Sequence, residues 1–450
     1  MTAPAPPGPK GIRALGWWAR LVRDPLATFV ALQHEYGDAL QVPVPLSRKH
    51  TFFLLNRPEH VEHVLVAHQD NYVKPFTYRP LKAFLGDGLL TAEGARWQRH
   101  RRLVQPVFSH RHIQSFGPAI VTAARERFGQ WVPGSTIDIA DEMRALTMDV
   151  IGRVLFGADL AGDAVPVGRA VTRLQSSTAI AAMLPVYLPE ERLRTVAPRI
   201  VPGLGRALHT LESVTARIID ARIEAPHDEP SDLLDLLLVA GQDEEPLSRA
   251  EIHAEVMTLV CAGHETTANA LTWALTLLSR YPDAHQRLVA EVGDALGERD
   301  PQVSDIEALP WTKAVMSETL RLYPPAWHLE RDAVQDDDIS GIRVSAGDTV
   351  GISPYLLHRN PEFWCKPDEF DPRRFVDDSA PTRPRYAYLP FGGGRRICVG
   401  TGLAQMETTL ALAVLAQSAH LKLEPTASLR MRADITLHPT GPVTARVTQR

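Results

Sequence analysis

FGGGRRICVG, Phe391 to Gly400, sets one of the chain's three cysteines behind three glycines and two arginines. Glycine lets a backbone visit positive φ and lie close to a partner, and adjacent guanidiniums are fixed donors for an anion. The stretch that follows, LAQMETTLALAVLA from Leu403, has helical periodicity and few breakers, so Cys398 stands at the mouth of a helix. A thiol at a helix N-terminus beside arginines is biased towards thiolate, the form of a metal ligand or a nucleophile. These ten residues are equally compatible with a tight glycine turn around an inert cysteine.

The other cysteines, Cys261 and Cys365, lie far away with no CxxC spacing, which suggests neither a disulfide framework nor a zinc site. They read as a helix-core residue and a loop thiol, in a chain suited to a reducing cytoplasm. With 450 residues and 44% apolar content the chain can bury a sizeable core. Its 48 Lys plus Arg against 53 Asp plus Glu leave a net charge of -5, which argues against general nucleic-acid binding. Residues 1–10 are proline-rich where a signal peptide needs an apolar centre, and no run approaches the roughly 20 apolar residues that span a bilayer. The expectation is a soluble cytoplasmic protein with no membrane anchor and a flexible N-terminus over 1–10.

Short β-type runs fall at Ala39 to Val44, Thr51 to Asn56, Leu421 to Leu423 and Asp434 to Leu437. Helical periodicity dominates between them, around Pro58 to His68, Glu93 to Val104, Ile113 to Trp131, Ala140 to Phe156, Leu208 to Ile223, Glu251 to Arg280, Ala284 to Leu296 and Thr312 to Leu322. The fold class is therefore mostly α with small β-sheets. The longest helix opens on a Ser248-x-x-Glu251 capping box and stops before Pro282. About 30 residues at roughly 1.5 Å each would cross a whole domain. AGHETT, Ala262 to Thr267, interrupts its apolar face and suggests a break.

Other constellations are weaker singly. Trp97 and Arg101 share one face of WQRHR, as an indole N–H and a guanidinium able to hold carboxylates, or as part of a solvated basic face. Glu318 and Arg321 lie one helical turn apart, and the charged turn FDPRRF could return Arg374 to them. Glu265 and Thr266 pair a carboxylate with a hydroxyl able to relay protons, or are simply a polar pair facing water. His264 reads as a satisfied polar residue and not a ligand.

In chain order, WQRHR, AGHETT, ETLR at Glu318, PRRF at Pro372 and FGGGRRICVG resemble the cytochrome P450 family of haem-thiolate monooxygenases. The resemblance covers almost the whole chain, and the last motif satisfies every fixed position of Phe-x-x-Gly-x-Arg-x-Cys-x-Gly. It implies a single cytochrome P450 domain over 1–450, with a long central helix crossing over a haem. It further implies haem b with Cys398 as the axial iron ligand, and Phe391 and Gly400 as loop residues against the cofactor. Trp97, Arg101 and Arg396 would meet the haem propionates, with Arg331 after the proline turn as the preferred further contact and His328 as the runner-up. Ala262 would lie over the haem, Glu265 and Thr266 would deliver protons for O2 chemistry, and Glu318, Arg321 and Arg374 would form a structural charge network.

The implied activity is insertion of one oxygen atom from O2 into an apolar terpenoid, fatty acyl or polyketide-like substrate. Pocket segments implied by position are those from Val73, Leu174, Pro324 and Ile435, together with Ala262. No flavin or iron–sulfur domain follows, so electrons are expected from a separate ferredoxin and ferredoxin reductase, docking on the Cys398 loop and on Arg99, Arg101 and Arg102. Peroxide-driven or electron-independent haem-thiolate chemistry is the nearer alternative, and a haem-based gas sensor the more distant one.

Overall fold

The computed structural model describes residues 5–44, 50–183, 190–229, 232–239, 247–376 and 382–448. Its organising element is the helix Arg249–Arg280, whose 32 residues measure about 48 Å at about 1.5 Å each. The capping box forms as the sequence requires: the Ser248 hydroxyl takes the Glu251 N–H and the Glu251 carboxylate takes the Ser248 N–H. At the other end Pro282 occupies the first turn of the next helix, Pro282–Leu296, where its missing N–H costs nothing. The helix is unbroken through AGHETT. Gly263 serves close packing instead, since a Cβ there would lie 2.7 Å from Ile151 Cδ1 on the crossing helix Ile139–Leu155.

Around this helix a single apolar core joins Ile139–Leu155, Leu204–Glu224, Pro310–Leu322 and the helix Thr401–Ser418 that follows Cys398. A five-stranded sheet runs Ala39–Pro43, Thr51–Leu55, Thr349–Ile352, Leu329–Ala333 and Tyr72–Val73. Phe53 pairs with Val350 in parallel, and Arg331 lies opposite Val350 in antiparallel register. Smaller sheets join Thr136–Asp138, Thr444–Thr448 and His420–Leu423, and the hairpin Asp337–Ile339 with Ile342–Val344.

Three expectations shift. The run Asp434 to Leu437 is the tight turn of a hairpin between Met431–Ala433 and Leu437–Pro439, because Asp434 N–H turns back onto Thr436 O at 3.2 Å. The segment Ile113 to Trp131 divides into His110–Gln114 and Gly117–Gly129, with Pro118 in the first turn of the second helix. Pro58 to His68 begins as an α-helix and changes at His63 into a π-helix, His63–Ala67. Among the described residues no helix is long and apolar enough to cross a membrane.

Candidate active site

A cavity of about 1440 Å³ lies between the central helix and the Phe391–Gly400 loop. The helix offers it Thr258, Ala262, Thr266 and Ala270, a stripe at four-residue spacing, while Phe391, Cys398 and Gly400 face it from the loop. The loop's shape needs its glycines at one point above all: Gly394 has φ of 65°, and a Cβ there would fall 1.7 Å from the Leu65 carbonyl oxygen. Cys398 N–H closes the loop on Phe391 O at 3.0 Å, and the Thr401 hydroxyl donates to Cys398 O at 2.9 Å.

The Cys398 side chain is open to the cavity and otherwise packed in protein. That burial pushes its thiol above the ordinary value, against the opposing pull of the Gly400 N–H, the Thr401 hydroxyl and the Arg101 charge. The bias towards a free thiolate read from the sequence is thus reversed, because desolvation outweighs the helix terminus and the arginine. A coordinated metal cation supplies what the loop lacks, since a ligating thiol is deprotonated outright.

A cluster of cations occupies one wall of the same cavity. Arg101, Arg331, Arg396 and Lys74 line it, with Trp97 between them. Arg396 lies 4.5 Å over the Trp97 ring, donates to Glu93 Oε2 at 2.5 Å and to Ala92 O at 3.0 Å, and is pushed down to about 10, chiefly by burial. Lys74 is held well below its usual value by burial and by the charges of Arg331 and Arg396, with Glu93 opposing. Three guanidiniums beside Lys74, with Glu93 and Glu330 as the carboxylates near them, call for an anionic ligand. A metal-bearing group with carboxylates would fit this donor set, the cysteine holding the metal and the guanidiniums the carboxylates.

Strand alternation puts Arg331, and not His328, on the cavity wall. Leu329 and Arg331 point into the cavity, and His328 points to the opposite face of the sheet. There its ring packs at 4.8 Å from Phe29 and 5.3 Å from Trp327, and burial pushes it down to about 3. The imidazole is neutral and does not reach the site.

Thr266 faces the cavity, but its hydroxyl donates to Ala262 O at 2.7 Å, the turn before it. Glu265, about 100° round the helix, turns away. It is 4% exposed, accepts from Gln175 Nε2, and is raised to about 7 by burial, against the charges of His438 and Arg144. Gln175 Oε1 in turn accepts from the Thr436 hydroxyl at 3.0 Å. His264 Nε2 donates to Arg144 O at 3.0 Å, and burial pushes the ring down to about 4.

Behind the loop Glu318 and Arg321 are fully buried, with Arg321 Nε to Glu318 Oε2 at 2.6 Å and Nη2 to Oε1 at 2.8 Å. Arg374 returns to Glu318 at 3.3 Å, and Arg321 also donates to the carbonyls of His358, Pro367 and Glu369. The pair is a buried network and not a solvated one.

Of the pocket segments, those from Val73 and Pro324 line the cavity, through Tyr78, Leu89, Leu90, Pro325 and Ala326. The segment from Ile435 instead backs Glu265, and the segment from Leu174 is outside the described side chains from residue 178 onward. The expected basic docking face is thinner than its sequence: Arg99 lies 3.7 Å from Glu251, and Arg101 bonds Ile397 O at 3.0 Å, leaving Arg102 exposed. Lys74 and Glu93 escaped the sequence reading. Their signal was a lone lysine in a loop and a carboxylate just before the Trp97 helix, neither of which has a distinctive spacing.

A family model described as "Cytochrome P450" matches residues 6–443. "Cyclooctatin synthase" of Streptomyces melanosporofaciens is 35% identical over 443 residues, covering 95% of this chain and 92% of the relative. "Cyclooctat-9-en-7-ol 5-monooxygenase" of the same organism is 33% identical, over 94% and 90%. "Pentalenene oxygenase" of Streptomyces avermitilis is 28% identical, over 98% and 97%. In structure the chain resembles the haem domain of cytochrome P450DA with a TM-score of 0.84 and 27% identity, over 100% and 98% of the two chains.

Proposed function

The chain belongs to the cytochrome P450 family of monooxygenases, and on that premise we propose that it inserts one oxygen atom from O2 into an apolar, terpenoid-type substrate, as a single domain over residues 1–450. The observation that carries this reading is one cavity joining the Cys398 sulfur and a cation-rich wall to an apolar surface on the central helix. Names of relatives that specify a cyclic alkenol and an alkene-type hydrocarbon support the substrate class.

Haem b, when bound, supplies the activation of O2. Cys398 would hold its iron, Trp97, Arg101, Arg331, Arg396 and Lys74 its carboxylates, and Phe391 and Gly400 would shape the loop against it. Ala262 keeps the helical wall of the cavity small, and a larger side chain there would displace substrate. The apolar wall from Leu89, Leu90 and Leu329 strips water from the substrate and makes protons scarce. Thr266 is a hydroxyl on the cavity face, next to Glu265 in sequence, able to place one once its bond to Ala262 O exchanges for a water. Glu265 is the buried carboxyl behind it, raised far enough to gain and lose a proton near neutrality. Electrons would come from a separate ferredoxin and its reductase in the cytoplasm.

The turn of Glu265 towards Gln175 favours a second reading, in which hydrogen peroxide replaces O2 and electrons and no proton route is needed. Thr266→Ala separates the two. Under the first reading the variant, supplied with haem, ferredoxin, reductase and nicotinamide, releases hydrogen peroxide with at least tenfold less product per nicotinamide oxidised. Coupling equal to the parent's, with turnover sustained by added peroxide alone, would establish the second.

A further inference from the structure

The π-helix His63–Ala67 brings together side chains that an α-helix would separate. In an α-helix residues five apart point about 140° away from each other; the wider turn, closed by His68 N–H on His63 O at 2.8 Å, puts both imidazoles on one side. Their rings stack with centroids 3.9 Å apart and planes 9° from parallel. Asp337, from the hairpin Asp337–Val344, completes the group: its Oδ2 is 2.9 Å from His63 Nε2. One donor atom from each of the three residues lies within 4.8 Å of the others.

We propose that His63, His68 and Asp337 bind a zinc-type divalent transition cation, at a site separate from the cavity. Two neutral imidazoles and a carboxylate are a donor set for such ions and a poor one for magnesium or calcium, which prefer all-oxygen shells. Zinc bonds of about 2.0–2.2 Å need donors about 3.3 Å apart, and imidazole lone pairs lie in the ring plane, so one ligand must close in and turn its ring out of the stack. His68 is able to do so, being exposed and without a side-chain hydrogen bond among the described residues. Tyr72 donates to Asp337 Oδ2 at 2.8 Å and the Asp338 N–H to Oδ1 at 2.8 Å, which fixes the carboxylate from outside the site. The other cluster of this composition, His227, Asp232 and Asp235, is already satisfied by a cation: Arg222 donates to both aspartates.

The ion would tie the hairpin to the π-helix on which the cysteine loop rests. Leu65 O is the carbonyl against Gly394, and Arg395 bonds both Gln69 and Asp70. The test is calorimetric titration of zinc chloride into the full chain, loaded with haem and free of any affinity tag. One equivalent binds saturably, magnesium chloride gives no such isotherm, and zinc slows hydrogen exchange across residues 63–70 and 337–344. His68→Ala and Asp337→Asn each weaken the affinity at least tenfold, whereas His285→Ala leaves it unchanged. Since Asp337 also bonds Tyr72, His68→Ala is the deciding variant. Zinc bound with parental affinity by His68→Ala, no saturable zinc uptake, or equal uptake of magnesium would each overturn the proposal.

Discussion

Glu407 sits on the helix Thr401–Ser418, is 3% exposed, and its Oε1 has no hydrogen-bond partner among the described residues. Burial alone pushes its carboxyl from the usual 4.5 up to about 8. A raised carboxyl costs the folded state nothing below the unfolded value, where both states are protonated. The cost grows as pH rises towards 8 and is complete above it, because the unfolded chain ionises and the folded one does not. At about 1.36 kcal/mol per pH unit the cost is roughly 1 kcal/mol at pH 5.5 and on the order of 5 kcal/mol at pH 8.5. Glu407→Gln keeps the shape and removes the titration. An unfolding entropy of about 2.1 cal/mol/K per residue makes one degree of melting temperature worth about 1 kcal/mol for a chain of this length. The variant should therefore melt about 1 °C above the parent at pH 5.5 and about 4–5 °C above it at pH 8.5, by scanning calorimetry of the haem-loaded protein. Water reaching Glu407 from the adjoining cavity would shrink both figures but not their order. Melting curves that stay parallel across this range would refute the argument.

Three further outcomes follow from the site. Cys398→Ser should abolish the reduced carbon-monoxide band characteristic of thiolate ligation, while Cys365→Ser, on the surface, retains it. Arg331→Gln should raise the haem dissociation rate about tenfold, roughly 1.4 kcal/mol for a lost charged contact, with little dependence on pH because the guanidinium stays charged; His328→Gln, behind the sheet, should leave haem loss nearly unchanged, and the reverse ranking in a haem-transfer assay would exchange their roles. Glu318→Gln strands the fully buried Arg321 charge and should cost about 3–5 kcal/mol, read in urea unfolding, with near-parental stability counting against the network.

How far the sequence reveals this molecule depends on the range over which each signal acts. The central helix was legible to within two residues because its cap, its period and its terminating proline are local. The loop around Cys398 was legible because close approach and positive φ demand glycine at fixed positions. The sign of the thiol's shift was not, since desolvation depends on chain packed from elsewhere. The same holds for Glu265, whose direction is set by Gln175 some ninety residues earlier. AGHETT looked like a break because small and polar residues commonly mark one; here Gly263 is small to admit Ile151, and the hydroxyl of Thr266 is satisfied within the helix. Lys74 becomes notable only beside Arg331 and Arg396, and the strand carrying Arg331 was invisible because ERDA alternates charge with charge instead of apolar with polar.

Thr258, Ala262, Thr266 and Ala270 divide the cavity's helical wall into steps of about 6 Å. Because the helix is continuous and held at both ends, these positions act as graduations on a rigid ruler. Enlarging one side chain shortens the space at one depth while leaving the others in place, so a library varied over Thr258, Ala262 and Ala270 alone would sort ring-shaped substrates by which carbon can reach the reacting end. Altered regiochemistry would then come in discrete jumps between carbons and not as a gradual blurring.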